Sequence, residues 1–415
     1  MRITRLAGEL RSFSWVGLDQ VFSALSNVVV AIAVSRASGA GGLGRYSVAF
    51  ACYLVVLGFQ RQLVNEPLIS LRWHPRARNR GHDAPALGAS LLYLLVASLV
   101  MLAVGVVTRR VELIVLAPLL PGVCIQDFDR YVAFRRRRHR LAAGLDALWF
   151  IFSAASCFWI LRSSSPAVAV IGWGIAGSIA AVYGAVRLDL WPARPAFSLR
   201  WWQREARRLG VFLTLASVAY IAGSQAMLLA IAATIGEEAL GQLRQAQILL
   251  GPAALSITTF NFFIMPRLAR RETDITSRTN GRMTVAAALL ALAAAGSSLV
   301  VAAPAARLVF GHATAISIAL LVPLSLQLVF EAAAAGVELP LRVTQRGAAI
   351  AAARIASVLV GVPAVVFAAI LGGLIPAAWG FAAQAATYFL AAWAGWLWTQ
   401  GSSTAAAATH QVPTQ

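Results

Sequence analysis

Residues 84–107 read APALGASLLYLLVASLVMLAVGVV and contain no charged side chain. A helix needs about 20 apolar residues to cross a hydrocarbon core of about 30 Å, because it rises about 1.5 Å per residue. This stretch is long enough, and similar apolar blocks recur along the whole chain. The sequence therefore predicts an all-α, polytopic membrane protein.

Composition supports the same fold class. Of the 415 residues, 59% are hydrophobic and 12% are charged, whereas soluble domains have about 45–50% and about 25%. The net charge is +19, and all 35 basic residues are Arg, which is typical of a GC-rich bacterial genome. A nucleic-acid-binding protein has the same sign of charge but does not bury long apolar blocks, so nucleic acid is excluded as a partner.

The apolar blocks predict about twelve transmembrane helices. They fall near 14–35, 43–65, 84–107, 111–127, 141–161, 166–186, 209–234, 239–265, 283–303, 314–337, 348–371 and 374–397. We predict an N-terminal six-helix bundle at 1–186, a cytoplasmic interfacial linker at 187–208, a C-terminal six-helix bundle at 209–397 and a disordered cytoplasmic tail at 398–415. The two bundles are expected to surround a central cavity.

Arginine distribution predicts the orientation. The N-terminus and the loops after even-numbered spans hold 26 of the 35 arginines, and the other loops hold six when Arg45, at the beginning of the second span, is counted with them. Arginine-rich loops stay in the cytoplasm, so both termini are predicted to lie there, with the protein in a bacterial cell (plasma) membrane. The last three arginines, Arg61, Arg244 and Arg354, fall inside predicted spans and need a partner or a function.

The two halves of the chain resemble each other at fixed offsets. At an offset of 197, Gly39, Leu43 and Gly44 recur as Gly236, Leu240 and Gly241, and at an offset of 206, Trp173 and Gly174 recur as Trp379 and Gly380. Each predicted half has an even number of spans, so the halves point the same way. Their symmetry axis is then expected along the membrane normal, with a cavity between them.

Polar side chains inside the predicted spans gather on single helical faces. They are Asp19, Gln20 and Asn27 in the first span, Arg61 in the second, Ser217 and Ser224 in the seventh, Arg244, Gln247 and Asn261 in the eighth, and Arg354 in the eleventh. One interpretation is a water-filled cavity in which the arginines attract phosphate. The alternative is that the arginines reach the membrane surface and the other groups bond neighbouring helices.

Three acids are candidates for ion coupling or gating, namely Asp19, Glu66 and Glu331. Glu66 has an alternative structural role, because it precedes Pro67 at the end of a span. Glu331 is expected at a depth similar to that of Arg354, which predicts an ion pair between them. The acids Asp127, Asp129 and Asp146 flank an arginine run and are expected to balance its charge.

Sequence motifs give no support for catalysis. No nucleotide-binding loop or zinc-protease motif occurs in a suitable context, and the five histidines are scattered over predicted loops and the tail. The three cysteines lie in apolar blocks without a metal-ligand spacing. We therefore predict no enzyme activity, no cofactor and no metal site.

Three stretches carry a family resemblance. They are Gly17-Leu18-Asp19-Gln20-Val21 with Ser26-Asn27, the second span from Gly44 to Asn65-Glu66-Pro67-Leu68, and the eighth span from Leu240-Gly241 to Pro266-Arg267-Leu268. They resemble the polysaccharide and oligosaccharidyl-lipid flippases of the multidrug/oligosaccharidyl-lipid/polysaccharide exporter superfamily. Members have two six-helix bundles around a cavity that opens alternately to each side.

The resemblance implies a flippase for an undecaprenyl-diphosphate-linked oligosaccharide or polysaccharide precursor. Its partners would be that anionic lipid-linked glycan, membrane lipids and polysaccharide-synthesis enzymes. The cation-lined family cavity would correspond to Arg61, Arg244 and Arg354, although Asp19 departs from that pattern because it repels an anion. Two alternatives stay open, a cation-coupled multidrug antiporter of the same fold and a non-transporting scaffold of a polysaccharide-synthesis complex.

Overall fold

The computed structural model describes residues 2–70, 80–254, 277–311, 317–343 and 346–409. All regular structure in these ranges is helical, which confirms the predicted all-α, polytopic membrane fold class. The helices are α1 (Arg2–Gln60), α2 (Glu66–Ser70), α3 (Asp83–Val107), α4 (Val111–Arg135), α5 (His139–Ser163), α6 (Pro166–Leu188), α7 (Pro195–Trp201), α8 (Arg207–Thr234), α9 (Glu237–Leu249), α10 (Ser277–Phe310), α11 (Ile318–Val343), α12 (Gly347–Gly372) and α13 (Leu374–Thr409). A π-helical turn, Arg61–Asn65, joins α1 to α2.

Nine stretches of the described chain are long and apolar enough to cross a membrane, and the first of them runs over 53 residues, Gly17–Ile69. Gly39 divides that stretch where the sequence predicts a loop between two spans, with φ 67° and ψ −166°. Its repeat counterpart Gly236, just before α9, also has a positive φ, of 116°. Residues with a Cβ rarely adopt such backbone angles, so glycine is required at both positions.

The chain divides into two compact units. The first comprises Met1–Ala232 with Glu237–Gly241, and the second Ala233–Gly236 with Gln242–Gln415. In the first unit α1 packs along α5, α4 along α6, and α3 against α4. In the second, α11 and α12 pack along α13, and α10 along α11. The bundle boundaries drawn from the sequence stay a prediction.

Large apolar side chains cover the outer faces of both units. On α3 the exposed residues include Val96 and Leu99, and on α12 they include Leu359 and Phe367, with exposed fractions between 59% and 69%. Faces this apolar and continuous are unstable in water, but they suit a hydrocarbon solvent. The interior of the first unit is packed by buried residues such as Phe128 and Trp173.

The fourth span is longer than the sequence analysis predicted. The predicted end at 127 is wrong, because α4 continues to Arg135. Arg130, assigned to a loop from its charge, is therefore inside a helix and only 7% exposed. Its charge is tolerated there because carboxylates of the protein surround it.

We expect Gly39→Ala to lower the free energy of unfolding by about 1–3 kcal/mol, since alanine is strained at this φ and ψ. A Cβ at Gly39 would meet no atom within 4 Å, so the decrease in the free energy of unfolding would come from backbone strain and not from a steric clash. Gly41→Ala is the matched control, because Gly41 is equally open and no positive φ occurs there. Reversible unfolding in mixed detergent micelles measures both; equal effects of the two substitutions would contradict the assignment of strain to Gly39.

Candidate functional site

Arg130 on α4 is the centre of a buried ion cluster in the first unit. Its guanidinium lies 2.6 Å from Asp19 Oδ2, 3.2 Å from Asp127 Oδ1 and 3.3 Å from Asp146 Oδ2. The three carboxylates come from α1, α4 and α5 and are almost completely buried. One arginine therefore connects three helices in a region where water cannot replace any of its partners.

Arg61 joins the same cluster from the π-helical turn. Its Nη2 and Nε donate to the two carboxylate oxygens of Asp127 at 2.6 and 2.8 Å, and Asn65 Nδ2 donates to Asp127 Oδ2 at 3.3 Å. The Arg61 side chain is 36% exposed, whereas that of Asp127 is 2% exposed. Thus the structure brings the predicted residues Asp19 and Arg61 into one network, but Arg61 already binds a carboxylate.

The cluster contains more acidic than basic groups. Arg61 and Arg130 face Asp19, Asp127 and Asp146, and Gln126 donates to Asp146 Oδ1 at 2.5 Å. Asp129 on α4 is also buried, and its carboxylate oxygens accept no hydrogen bond from the described residues. The surroundings of Arg61 are therefore acidic rather than the purely cationic lining that the resemblance implies.

The other predicted residues of the first unit make local or inter-helix hydrogen bonds. Gln20 donates to Asp19 at 3.1 Å, and Asn27 Oδ1 accepts from Trp173 Nε1 at 3.1 Å. Glu66 accepts from the hydroxyl of Tyr131 at 2.9 Å, and the hydroxyl of Ser224 donates to a carbonyl one turn earlier in α8. Each contact fits the packing interpretation of these side chains.

The predicted ion pair between Glu331 and Arg354 is wrong. Arg354 Nη2 lies 2.9 Å from Glu338 Oε1. The other carboxylate oxygen of Glu338 accepts a hydrogen bond from the hydroxyl of Tyr388. Glu331 instead accepts from Gln327 Nε2 at 2.8 Å. The short connection between α11 and α12 is flanked at similar distances by Glu338 and Arg354, so these two residues lie at matching depth.

Among the other candidate residues of the second half, Arg244 and Gln247 contact each other. Arg244 Nη1 donates to Gln247 Oε1 at 3.0 Å, three residues along α9. The side chain of Ser217 and the whole of Asn261 lie outside the described residues.

Sequence reasoning missed the central role of Asp127, Arg130 and Asp146. The sequence predicts that Asp127 and Asp146 balance the charge of a nearby arginine run and that Arg130 lies in a loop. The available signal was the spacing of Asp127 and Arg130, three residues apart, which places opposite charges on one face if the helix continues. The partners Asp19 and Asp146 lie too far away in sequence for any spacing rule to connect them to Arg130.

A second feature of the first unit is a reciprocal contact between α1 and the start of α9. A Cβ at Gly44 would lie 1.7 Å from the carbonyl oxygen of Glu237, and a Cβ at Gly241 would lie 1.7 Å from that of Ala40. The offset of 197 relates Gly44 to Gly241 and Ala40 to Glu237. The two contacts are therefore equivalent under the repeat, and in each of them a glycine allows an approach to the backbone that a Cβ would block.

Solved structures of transporters share this architecture. An inward-facing multidrug resistance MATE family transporter of the MOP superfamily matches 94% of this chain and 96% of its own, with a TM-score of 0.65 and 14% identity. The chain has the fold of the MOP-superfamily transporters. A MOP superfamily transporter from Pyrococcus furiosus matches 95% of both chains with a TM-score of 0.62 and 15% identity.

The MOP fold of this chain also matches a lipid flippase. The lipid II flippase MurJ, in an inward closed conformation, covers 92% of this chain and 86% of its own, with a TM-score of 0.70 and 10% identity. No family model matches the sequence, and no curated protein does. At these identities the likeness shows the fold alone.

We expect Arg130→Gln to destabilise the protein by about 3–5 kcal/mol, because it leaves the buried carboxylates of Asp19 and Asp146 without their arginine. Arg45→Gln is the control: Arg45 lies 3.7 Å from Glu112, its side chain is 47% exposed, and such exposed pairs contribute about 0–1 kcal/mol. Unfolding in mixed micelles measures both variants.

If Arg130→Gln does not accumulate as folded protein, the triple variant D19N/R130Q/D146N should restore folding, since it removes two of the buried charges as well. A stability equal to that of Arg45→Gln would contradict a structural role of the cluster.

Proposed function

We propose that this protein is an alternating-access transporter that flips an undecaprenyl-diphosphate-linked oligosaccharide or polysaccharide precursor across the bacterial cell membrane. The observation that carries the proposal is the MOP fold, which matches a lipid II flippase over 92% of this chain with a TM-score of 0.70. The diphosphate and sugar would pass between the helices while the lipid tail stays in the bilayer.

Arg61 is the arginine that we assign to the diphosphate. Its side chain is 36% exposed, against 20% for Arg354, so a substrate reaches it more easily. Asp127 also lies 3.2 Å from Arg130 and accepts from Asn65. Asp127 therefore keeps a cation and a hydrogen-bond donor when Arg61 turns to a phosphate, which its planar guanidinium binds through two hydrogen bonds.

The contact between α1 and α9 supports alternating access. Backbones that touch through glycine separate without breaking a side-chain interdigitation, and Arg110 Nη1 lies 2.5 Å from Glu237 Oε1 at the same place. We propose that this contact opens and closes during transport and that it lies on the external side of the membrane, with both termini in the cytoplasm.

A cation-coupled antiporter of the same fold is the second candidate. The acidic excess of the ion cluster favours it, because buried carboxylates that exceed their arginine partners provide sites for exchangeable protons. The two candidates differ in substrate charge. A lipid diphosphate is anionic, whereas the substrate of such an antiporter is a cationic drug.

The test of the first candidate uses purified protein in vesicles that carry a fluorescent undecaprenyl-diphosphate disaccharide on the inner leaflet. We expect the label to become accessible to an external quencher faster than in protein-free vesicles. Arg61→Lys should slow this movement about tenfold, since lysine keeps the charge but loses the two-point phosphate contact.

Arg162→Lys is the matched control, because Arg162 lies over the ring of exposed Phe158 and away from the cluster. No movement above protein-free vesicles, together with proton-driven efflux of a cationic dye, would replace the first candidate by the second. No movement of either substrate would favour a scaffold role.

A further inference from the structure

A basic groove opens at the end of the first unit that carries the α4–α5 connection. It has a volume of about 1000 Å³ and lies between Trp15 of α1, the beginning of α5 and the end of α6. Its walls include Trp15, Arg138, Arg140, Tyr183 and Arg187. This end of the molecule is the one predicted to be cytoplasmic.

The groove differs from the ion cluster because its arginines face aromatic rings rather than carboxylates. The guanidinium carbon of Arg140 is 5.5 Å from the ring centroid of Trp15, and that of Arg187 is 5.9 Å from the ring centroid of Tyr183. Such contacts orient a guanidinium without neutralising it. Among the described residues, none of the groove arginines has a carboxylate within ion-pair distance, and all are exposed.

The backbone fixes the position of the third arginine. Arg138 Nη1 donates to the carbonyl oxygen of Arg187 at 3.0 Å, so the α4–α5 connection is attached to the end of α6. This hydrogen bond uses only one of the five N–H donors of the guanidinium. Three of the four arginines that line the groove come from three segments and are thus held around one space, with donors left for an anion.

An apolar surface continues from the groove along the same two helices. Ile151 on α5 is 58% exposed, and Ile179 and Val182 on α6 are 37% and 66% exposed. These residues lie farther into the predicted membrane than the arginines. The site therefore presents cations and aromatic rings at the membrane surface and an apolar track toward the bilayer centre, which matches the two parts of a phospholipid.

We propose that this groove binds the phosphodiester headgroup of an anionic phospholipid of the inner leaflet, with its acyl chains along α5 and α6. The charge of the arginines selects anionic over zwitterionic headgroups, and their planar donors recognise the phosphate oxygens. The site is distinct from Arg61 and does not depend on which substrate the protein moves.

The test is a lipid titration of the purified full-length protein in neutral detergent. Phosphatidylglycerol is compared with phosphatidylcholine of the same acyl chains, and bound lipid is counted by native mass spectrometry alongside the melting temperature. We expect phosphatidylglycerol to bind and stabilise the wild type, and R138Q/R140Q/R187Q to lower its apparent affinity at least about tenfold.

Two matched variants distinguish the loss of lipid binding at the groove from a general loss of positive charge and from misfolding. R200Q/R204Q/R207Q removes the same charge from exposed arginines outside the groove and should bind phosphatidylglycerol like the wild type. R138K/R140K/R187K keeps the charge and should retain most of the lipid response even if the glutamine variant is poorly folded.

The same titration with inorganic pyrophosphate tests whether the groove binds a soluble phosphate compound instead of a phospholipid. Stabilisation by pyrophosphate alone that depends on the groove arginines would overturn the assignment to a phospholipid and indicate a phosphate site. Equal weakening by the groove and control glutamine variants would overturn the site itself, as would equal binding of phosphatidylglycerol and phosphatidylcholine.

Discussion

Charges inside a hydrocarbon solvent must find their partners within the protein, and in the first unit this requirement is met at Arg130. Its guanidinium brings together Asp19, Asp127 and Asp146, so α1, α4 and α5 share one buried cluster. Arg61 binds the same Asp127 from the π-helical turn that follows α1. Removing Arg130 leaves Asp19 and Asp146 without an arginine at a cost of several kcal/mol, so α1, α4 and α5 are expected to move as one body.

Because the ion cluster joins α1, α4 and α5, we assign the proposed transport motion to another part of the first unit. Gly44 and Gly241 approach the backbones of Glu237 and Ala40 at distances that a Cβ would block, and Gly39 and Gly236 have a positive φ. Glycine thus allows both a close backbone approach and a positive φ at equivalent points of the repeat. The functional proposal combines these two properties: a fixed ion cluster beside the substrate path, and a contact that opens and closes.

Much of the fold can be predicted from the sequence, because the length of an apolar block is enough to identify a membrane-spanning helix. The predicted span at 84–107 corresponds to α3, Asp83–Val107, and the repeat identified Gly39 and Gly236. The ion cluster was not predicted, since the polarity of Arg130 resembles a loop unless its distant partners are known. Two residues that are identical in the two repeats can also differ in solvent exposure. Trp173 is 2% exposed, whereas its counterpart Trp379 is 48% exposed.

We infer that the contact between α1 and α9 opens during transport. Spin labels on Ala37→Cys and Glu238→Cys, in a background without Cys52, Cys124 and Cys157, report the distance across this contact in lipid vesicles. We expect one short distance without substrate and a second, longer population when the lipid-linked diphosphate sugar is added. A single unchanged distance in vesicles that actively flip the substrate would contradict it.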